Sequence, residues 1–216
     1  MSLRILVVDD HAVVRRGIRS LLESQEGWEV CGEATTGRDA VEQSRRLRPD
    51  VVVMDLSLPE LNGLDATRQI LKDAPDTEVL VLTMHQSEEL ARTALQAGAR
   101  GFILKSDADE NLIAAVDSLR QHKPFLTSTV TEFVLDGYVR RSDAAQDDFA
   151  SVTVTARERE IMQLVAEGQS NKEAASTLGI SVKTIEAHRA NIMRKLHLRS
   201  VSDLVRYAIR NKIVEP

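Results

Sequence analysis

Over its first 124 residues the chain alternates between two hydrophobic rhythms. Short β-branched or aliphatic runs fall at Ile5–Val8, Val30–Glu33 (the weakest), Val51–Met54, Val79–Leu82 and Gly101–Leu104. Stretches with helical spacing separate and follow them. Val14, Ile18, Leu21 and Leu22 mark the first helix, and Ala40, Val41, Ser44 and Leu47 the second. Leu64, Thr67, Ile70 and Leu71 mark the third, Leu90, Ala94 and Ala97 the fourth, and Leu112, Ala115, Val116 and Leu119 the fifth. Strand and helix in strict alternation predict a doubly wound, five-stranded parallel α/β sheet with helices on both faces. Strands buried on both faces read as continuous apolar runs, and four of the five do.

The rhythm changes after Pro124, which is expected to stop the fifth helix. Val130, Phe133, Val134, Leu135 and Tyr138 could line one more helix, and Arg140–Ala150 reads as a polar linker. From residue 151 the only strand signal is Val152–Val154, and helix starts dominate. Thr155 with Glu158, Ser170 with Glu173 and Ser200 with Asp203 have capping-box spacing, and Ser181 caps a fourth start. Gly168 and Gly179 fall where helices should end. Lys172 to Leu196 then reads as short helix, turn, long helix, the layout of a helix-turn-helix within a four-helix domain. The expected organisation is 1–124 α/β domain, 125–150 linker and 151–216 helical domain.

Charge follows the same division. Residues 1–124 carry 15 Lys/Arg and 21 Asp/Glu, whereas residues 172–212 carry 9 and 3. A basic C-terminal part suits a polyanion. Aliphatic runs of at most four residues exclude a membrane-spanning helix. The opening segment lacks a signal-peptide layout, since its apolar stretch is short and ends in two acids. One cysteine, Cys31, rules out an intrachain disulfide, so a reducing, cytoplasmic setting is expected. Cys31 itself is expected to be a buried packing residue.

Parallel α/β sheets bind ligands beyond the carboxyl ends of their strands. Asp9 and Asp10 follow the first strand, Asp55 the third, Thr83 the fourth and Lys105 the fifth. A lone strand-end acid is commonly a solvated loop residue; this ordered set is far less expected by chance. Crowded carboxylates raise one another's pKa unless a cation is present, and Mg²⁺ suits hard oxygen donors. A hydroxyl and an ammonium opposite the acids suit phosphoryl oxygens. The implied chemistry is phosphoryl transfer to Asp55 as nucleophile, with Thr83 and Lys105 as partners of the transferred group.

On a helical wheel of the second helix of the motif, Ile185, Ile192 and Leu196 share a packed face, with Val182, His188 and Arg189 at its edges. Lys183, Ala187, Ala190 and Arg194 lie opposite, flanked by Thr184, Glu186 and Asn191. Cations at both ends and small residues between them suit entry into a DNA major groove. Lys172 and Lys195 are expected phosphate contacts. His11 and His85 lack a second ligand at metal spacing and are assigned no metal.

The stretches Ile-Leu-Val-Val-Asp9-Asp10-His, Val-Val-Val-Met-Asp55-Leu-Ser-Leu-Pro59-Glu-Leu-Asn-Gly63, Val-Leu-Val-Leu-Thr83 and Gly101-Phe-Ile-Leu-Lys105 resemble the receiver domain of two-component response regulators. Thr155-Ala-Arg-Glu-Arg-Glu160, Ala-Glu-Gly168-Gln-Ser-Asn-Lys172-Glu-Ala-Ala, Ile180-Ser-Val-Lys-Thr-Ile-Glu-Ala-His-Arg and Ile192-Met-Arg-Lys-Leu196 resemble the LuxR-type helix-turn-helix. Together they make the whole chain similar to the NarL/FixJ class. The resemblance implies a flavodoxin-like sheet and a sensor histidine kinase that phosphorylates Asp55. It implies Mg²⁺ on Asp9, Asp10, Asp55 and the Ser57 backbone carbonyl, and a switch pair of Thr83 and Phe102. It further implies a homodimer on double-stranded promoter DNA, dimer contacts from the last helix, and RNA polymerase as a further partner. The chain is then expected to be no enzyme beyond assisting its own phosphoryl transfer and hydrolysis, which His85 would tune. It departs from the family at Ser106, where receivers have Pro after the lysine, at Phe102 in place of Tyr, and at Val154 in place of Leu. A cis bond before a non-proline residue costs about 2.5–4 kcal/mol, which leaves the backbone at Ser106 to the structure.

Two other function classes compete with this one. A phosphatase of the haloacid-dehalogenase kind has a second acid two residues after its nucleophile, where this chain has Ser57. No Gly-x-x-x-x-Gly-Lys-Ser/Thr loop is present. An adaptor whose basic domain binds an acidic protein would lack salt-sensitive, sequence-dependent binding to duplex DNA.

Overall fold

The computed structural model describes residues 2–127, 130–131 and 154–214. These form two compact units, one built on a sheet and one wholly helical. Of the expected linker, 125–150, residues 128–129 and 132–150 lie outside the described residues, Phe133, Val134, Leu135 and Tyr138 among them, as do Val152 and Thr153; Val130 and Thr131 are helical.

In the first unit β1 (Leu3–Val8), β2 (Trp28–Ala34), β3 (Val51–Asp55), β4 (Glu78–Thr83) and β5 (Gly101–Leu104) alternate with helices. These are α1 (Ala12–Glu23), α2 (Gly37–Leu47), α3 (Gly63–Asp73), α4 (Glu88–Gln96) and α5 (Ala108–Arg120). A sixth strand, β6 (Phe125–Leu126), pairs with the outer edge of β5 and extends the five strands expected. All strand pairs are parallel, in the order β2-β1-β3-β4-β5-β6. Two residues just after a proline carry no period-2 signal, so the sequence pattern does not reveal β6. The fifth helix also ends earlier than Pro124 suggested. It stops at Arg120, and His122 then turns the chain at φ 58°.

Alternation along the strands fills both faces. Leu3, Ile5, Val7, Val51, Val53, Leu80, Leu82 and Ile103 pack with Ile18 and Leu22 of α1 and with Leu112, Ala115, Val116 and Leu119 of α5. Leu6, Val52, Met54, Val81 and Phe102 are buried on the opposite face. β2 lies at the sheet edge, and its register against β1 slips between Ile5 and Leu6, which pair with Val30 and Gly32. Cys31 is the extra residue of that bulge. It is half-buried rather than a core residue, and its thiol donates to the Ile5 carbonyl at 3.4 Å.

The second unit comprises α6 (Ala156–Ala166), α7 (Asn171–Leu178), α8 (Val182–Lys195) and α9 (Val201–Arg210). Ile161, Leu164, Ala174, Leu178, Ile185, Ile192, Leu204 and Ala208 form its core, and Val154 packs against them. Every expected cap forms. Thr155 and Ser170 each close a full capping box, with Glu158 and Glu173, while Ser181 and Ser200 accept from the amides of Thr184 and Asp203. Gly179 ends α7 at φ 63°, a left-handed conformation that suits glycine.

The Asp203 carboxyl is held down at about 2, first by the Arg206 guanidinium, then by the Ser200 hydroxyl and the Arg199 amide. Its folded value lies below the ordinary one of about 3.9. The cap therefore stabilises α9 fully above about pH 4, and this contribution fades as the pH falls toward about 2. Carboxyl NMR should give an Asp203 midpoint near 2; a midpoint of about 3.9 would remove these bonds from solution.

Candidate functional site

Parallel register carries one chemical group to the same rim from each strand. Asp9 follows β1, whose Val8 pairs with Met54; Asp55, next on β3, pairs with Leu82. Thr83 ends β4 and pairs with Leu104, and Lys105 follows. Asp9, Asp55 and Thr83 are all buried. Lys105 Nζ lies 2.7 Å from Asp9 Oδ2 and 2.8 Å from Asp55 Oδ2, so one ammonium bridges two buried carboxylates. Asp9 Oδ1 accepts the His11 amide at 2.8 Å, and Asp55 Oδ1 accepts the Ser57 amide at 3.4 Å. Ser57 thus sits in the turn beside the acid; the turn shows its amide on Asp55. Thr83 Oγ1 accepts the amide of His85, whose side chain is exposed.

Burial pushes the Asp55 carboxyl up, Lys105 opposes that by hydrogen bond and charge, and Asp9 adds to the rise; the result is a raised pKa. For Lys105 burial acts downward, but its bonds to Asp55 and Asp9 outweigh it and the ammonium is held protonated. Two buried negative charges against one positive leave an excess that a cation would relieve.

Among the described residues, Asp9, Asp10, His11 and Asp55 offer ligand atoms all within 4.8 Å of one another. Asp9 Oδ2, ion-paired with Lys105, has no hydrogen-bond partner of good geometry although it is buried. An under-satisfied carboxylate oxygen inside a cluster of hard oxygen donors fits Mg²⁺.

His11 does have neighbouring ligands, contrary to expectation, because the turn after β1 brings it beside the acids; two further contributors, Arg15 and Gly63, escaped the sequence reading. His11 joins the acid cluster, with Nδ1 at 2.7 Å from Asp10 Oδ1. Arg15, one turn into α1, donates to the Asp9 carbonyl at 2.8 Å and to Glu33 at 3.2 Å, fixing the end of β1. Gly63 opens α3 against the backbone of Asp55: a Cβ there would lie 2.0 Å from the Asp55 carbonyl oxygen. The bare signals were an imidazole directly after the acid pair and a glycine eight residues after Asp55. Phe102 is buried in β5, and its pairing with Val81 puts it beside the strand that ends in Thr83. The backbone after Lys105 is trans and enters a 3₁₀ turn, Lys105–Asp107.

On the helical unit, α8 buries Ile185 and Ile192 and half-buries His188 and Arg189, with Leu196 half-buried just past its end; Val182, expected at the edge of the packed face, is exposed instead. Arg189 donates to Asn171, tying α8 to α7. Lys183, Thr184, Glu186, Ala187, Ala190, Asn191 and Arg194 lie on the outward side of α8, and Lys172 stands at the start of α7. All of these are exposed. Lys195 differs from expectation. It turns toward α6 and pairs with Glu158 Oε2 at 2.7 Å, the oxygen that also accepts the Thr155 amide. A lysine that anchors a capping box is drawn away from a phosphate-facing set.

No helix among the described residues is long and apolar enough to cross a membrane. The family model for the response regulator receiver domain matches residues 5–117, and that for bacterial regulatory proteins of the luxR family matches 152–208. The oxygen regulatory protein NreC of Staphylococcus epidermidis is 42% identical over 219 residues, covering 99% of this chain and 100% of that protein. A LuxR-family two-component response regulator from Aurantimonas superposes with a TM-score of 0.61 at 34% identity, over 64% of this chain and 99% of that one. The response regulator RcsB, solved in complex with DNA, superposes with a TM-score of 0.59 at 27% identity, over 96% and 98% of the two chains.

Proposed function

Since the chain belongs to the two-component response regulators with a luxR-type DNA-binding domain, we propose that a sensor histidine kinase phosphorylates it at Asp55 and that this promotes its binding, as a homodimer, to promoter DNA. The carrying observation is the buried Asp55 carboxylate bridged through Lys105 to Asp9. Mg²⁺ would be held by Asp9, Asp10, Asp55 and the Ser57 carbonyl, and would supply neutralisation of the charge that builds on the transferring phosphoryl group. Lys105 opposes, by hydrogen bond and charge, the rise that burial imposes on Asp55. An Asp55 Oδ then attacks phosphorus, forming the acyl-phosphate O–P bond as the P–N bond to the kinase imidazole breaks. Lys105 pairs with one phosphoryl oxygen and Thr83 donates to another. Water later hydrolyses the acyl phosphate, so the chain acts on no separate substrate; His85, whose amide bonds Thr83 Oγ1 in the turn after β4, would tune that step.

The phosphoryl group adds roughly −1.5 to −2 charges beside Thr83 and Lys105. Drawing these two toward it shifts the ends of β4 and β5, with Phe102 following Thr83. A difference of about 1.4 kcal/mol between the two states suffices for a tenfold change in association. Two joined recognition helices gain by avidity on a two-half-site operator. RNA polymerase is the further partner at the promoter, and the setting is the cytoplasm.

Selection of bound oligonucleotides from a random pool should recover a two-half-site motif, with stronger recovery when phosphodonor is present. Equal recovery with and without it would refute the coupling. On the selected duplex, Arg194→Ala should cost about 1–3 kcal/mol if this side chain reads a base edge, and should weaken all sequences evenly if it contacts phosphate. Unchanged affinity would remove Arg194 from the interface.

A further inference from the structure

The peptide group that joins the two acids after β1 lies just past the strand ladder. β1 pairs with β2 and β3 as far as Val8, and the Asp9 amide still reaches the Ala34 carbonyl at 3.1 Å. Asp9 is buried, so its carbonyl needs a donor from elsewhere. Arg15 of α1 provides it, with Nη1 at 2.8 Å. The same guanidinium is held from its other side: Nε donates to Glu33 Oε2 at 3.2 Å, and Arg19 Nη1 donates to Glu33 Oε1 at 2.8 Å. Gln43 of α2 in turn donates to the Glu33 carbonyl at 2.6 Å. Side chains of α1, β2 and α2 thus form one chain of bonds that ends on the Asp9 carbonyl. The Arg15 side chain is only 15% exposed, whereas its neighbour Arg16 is exposed and donates to the Ala12 carbonyl of its own helix. Asp10 is exposed, with its carboxylate on His11 of the same turn, so its place is set by the backbone that carries it.

We propose that Arg15 is a positioning residue for phosphoryl transfer: by holding the Asp9–Asp10 peptide it fixes the spacing of the two acids and so sets the affinity of the pocket for Mg²⁺. This rests on the acidic pocket being the Mg²⁺ site beside the phosphoacceptor. A guanidinium suits the task because two directions are served at once, one N–H to a carbonyl and another to a carboxylate; an ammonium is a point charge without that fork. Charge and position act in opposite senses here. Arg15 is a cation beside the pocket, so by charge alone its loss would tighten the binding of a divalent cation. By position its loss frees the acid pair and weakens binding, on the scale of about 10–100-fold seen for lost partners behind metal ligands.

Calorimetric titration of the full chain with Mg²⁺ reads this without phosphorylation, and urea unfolding reads stability beside it. Arg15→Met keeps an apolar stem and removes both bonds. Arg16→Met, one residue on, removes a cation and leaves the Asp9 carbonyl bonded. Arg15→Met should weaken Mg²⁺ binding by about tenfold or more, whereas Arg16→Met should bind as the parent does or slightly tighter. Arg15→Lys, which keeps the charge and loses the fork, should fall between Arg15→Met and the parent. In labelling by acetyl phosphate, the Mg²⁺ concentration for half-maximal rate should rise in Arg15→Met by the same factor as the calorimetric constant, with the rate at saturating Mg²⁺ falling far less. Parent-like or tighter Mg²⁺ binding by folded Arg15→Met would overturn the proposal whatever its stability, and so would an equal loss in Arg16→Met. If Arg15→Met does not fold, Arg15→Lys decides: weaker binding than the parent supports the proposal and parent-like binding overturns it. A parent that binds no Mg²⁺ would instead overturn the pocket reading, and the role of Arg15 with it.

Discussion

Gly63→Ala should destabilise the N-terminal unit by about 3 kcal/mol or more and abolish phosphoryl acceptance. The added Cβ would stand 2.0 Å from the Asp55 carbonyl oxygen and 2.8 Å from Leu56 Cα. Both are backbone atoms, so no side chain can rotate away. The Gly63 amide also donates to the Leu56 carbonyl at 2.9 Å, which pins α3 against the end of β3. Relief therefore requires moving the strand end that carries Asp55. Gly17, in α1 with nothing within 4 Å of a Cβ, is the control: Gly17→Ala should stabilise by roughly 0.5–1 kcal/mol through helix propensity. Urea unfolding together with acetyl phosphate labelling decides both. Parent-like stability and labelling of Gly63→Ala would mean that α3 does not approach β3 this closely.

Lys105→Met should cost about 3–5 kcal/mol at neutral pH without divalent cation, because it leaves two buried carboxylates unneutralised. The pH dependence has a definite sign. Burial already raises Asp55, and losing Lys105 raises it further. A carboxyl whose folded pKa exceeds its unfolded pKa destabilises the fold when ionised. Stability should thus return progressively as the pH falls from the raised folded value toward the ordinary one of about 3.9, and should also return on adding Mg²⁺. Unfolding curves across pH, with and without Mg²⁺, would show this. A loss indifferent to both acid and Mg²⁺ would indicate lost packing of the lysine stem instead.

Much of this was legible in the sequence, for identifiable physical reasons. β1, β3, β4 and β5 are buried on both faces, so each reads as an unbroken apolar run, and parallel pairing sends the residues after them to one rim. Asp9, Asp55, Thr83 and Lys105 followed from that rule alone. The edge strand β2 was weaker, since one of its sides has no neighbour and Cys31 bulges out of register. The helical unit was readable because hydroxyl caps and a left-handed glycine are local signals. What stayed hidden depends on tertiary approach. Whether Lys195 faces DNA or Glu158 is decided by α6, not by the wheel of α8. Arg15 finds the Asp9 carbonyl, and Gly63 the Asp55 backbone, only once helix and strand have docked. β6 exists because β5 offers an open edge to two residues of no particular pattern.

The most direct test of Asp55 as phosphoacceptor is to treat the full chain with acetyl phosphate and Mg²⁺, trap the acyl phosphate with borohydride and locate the modified residue by mass spectrometry. One reduced residue is expected, at Asp55, and none in Asp55→Asn. Modification at Asp9 or Asp10 in the parent, or labelling that persists in Asp55→Asn, would contradict it.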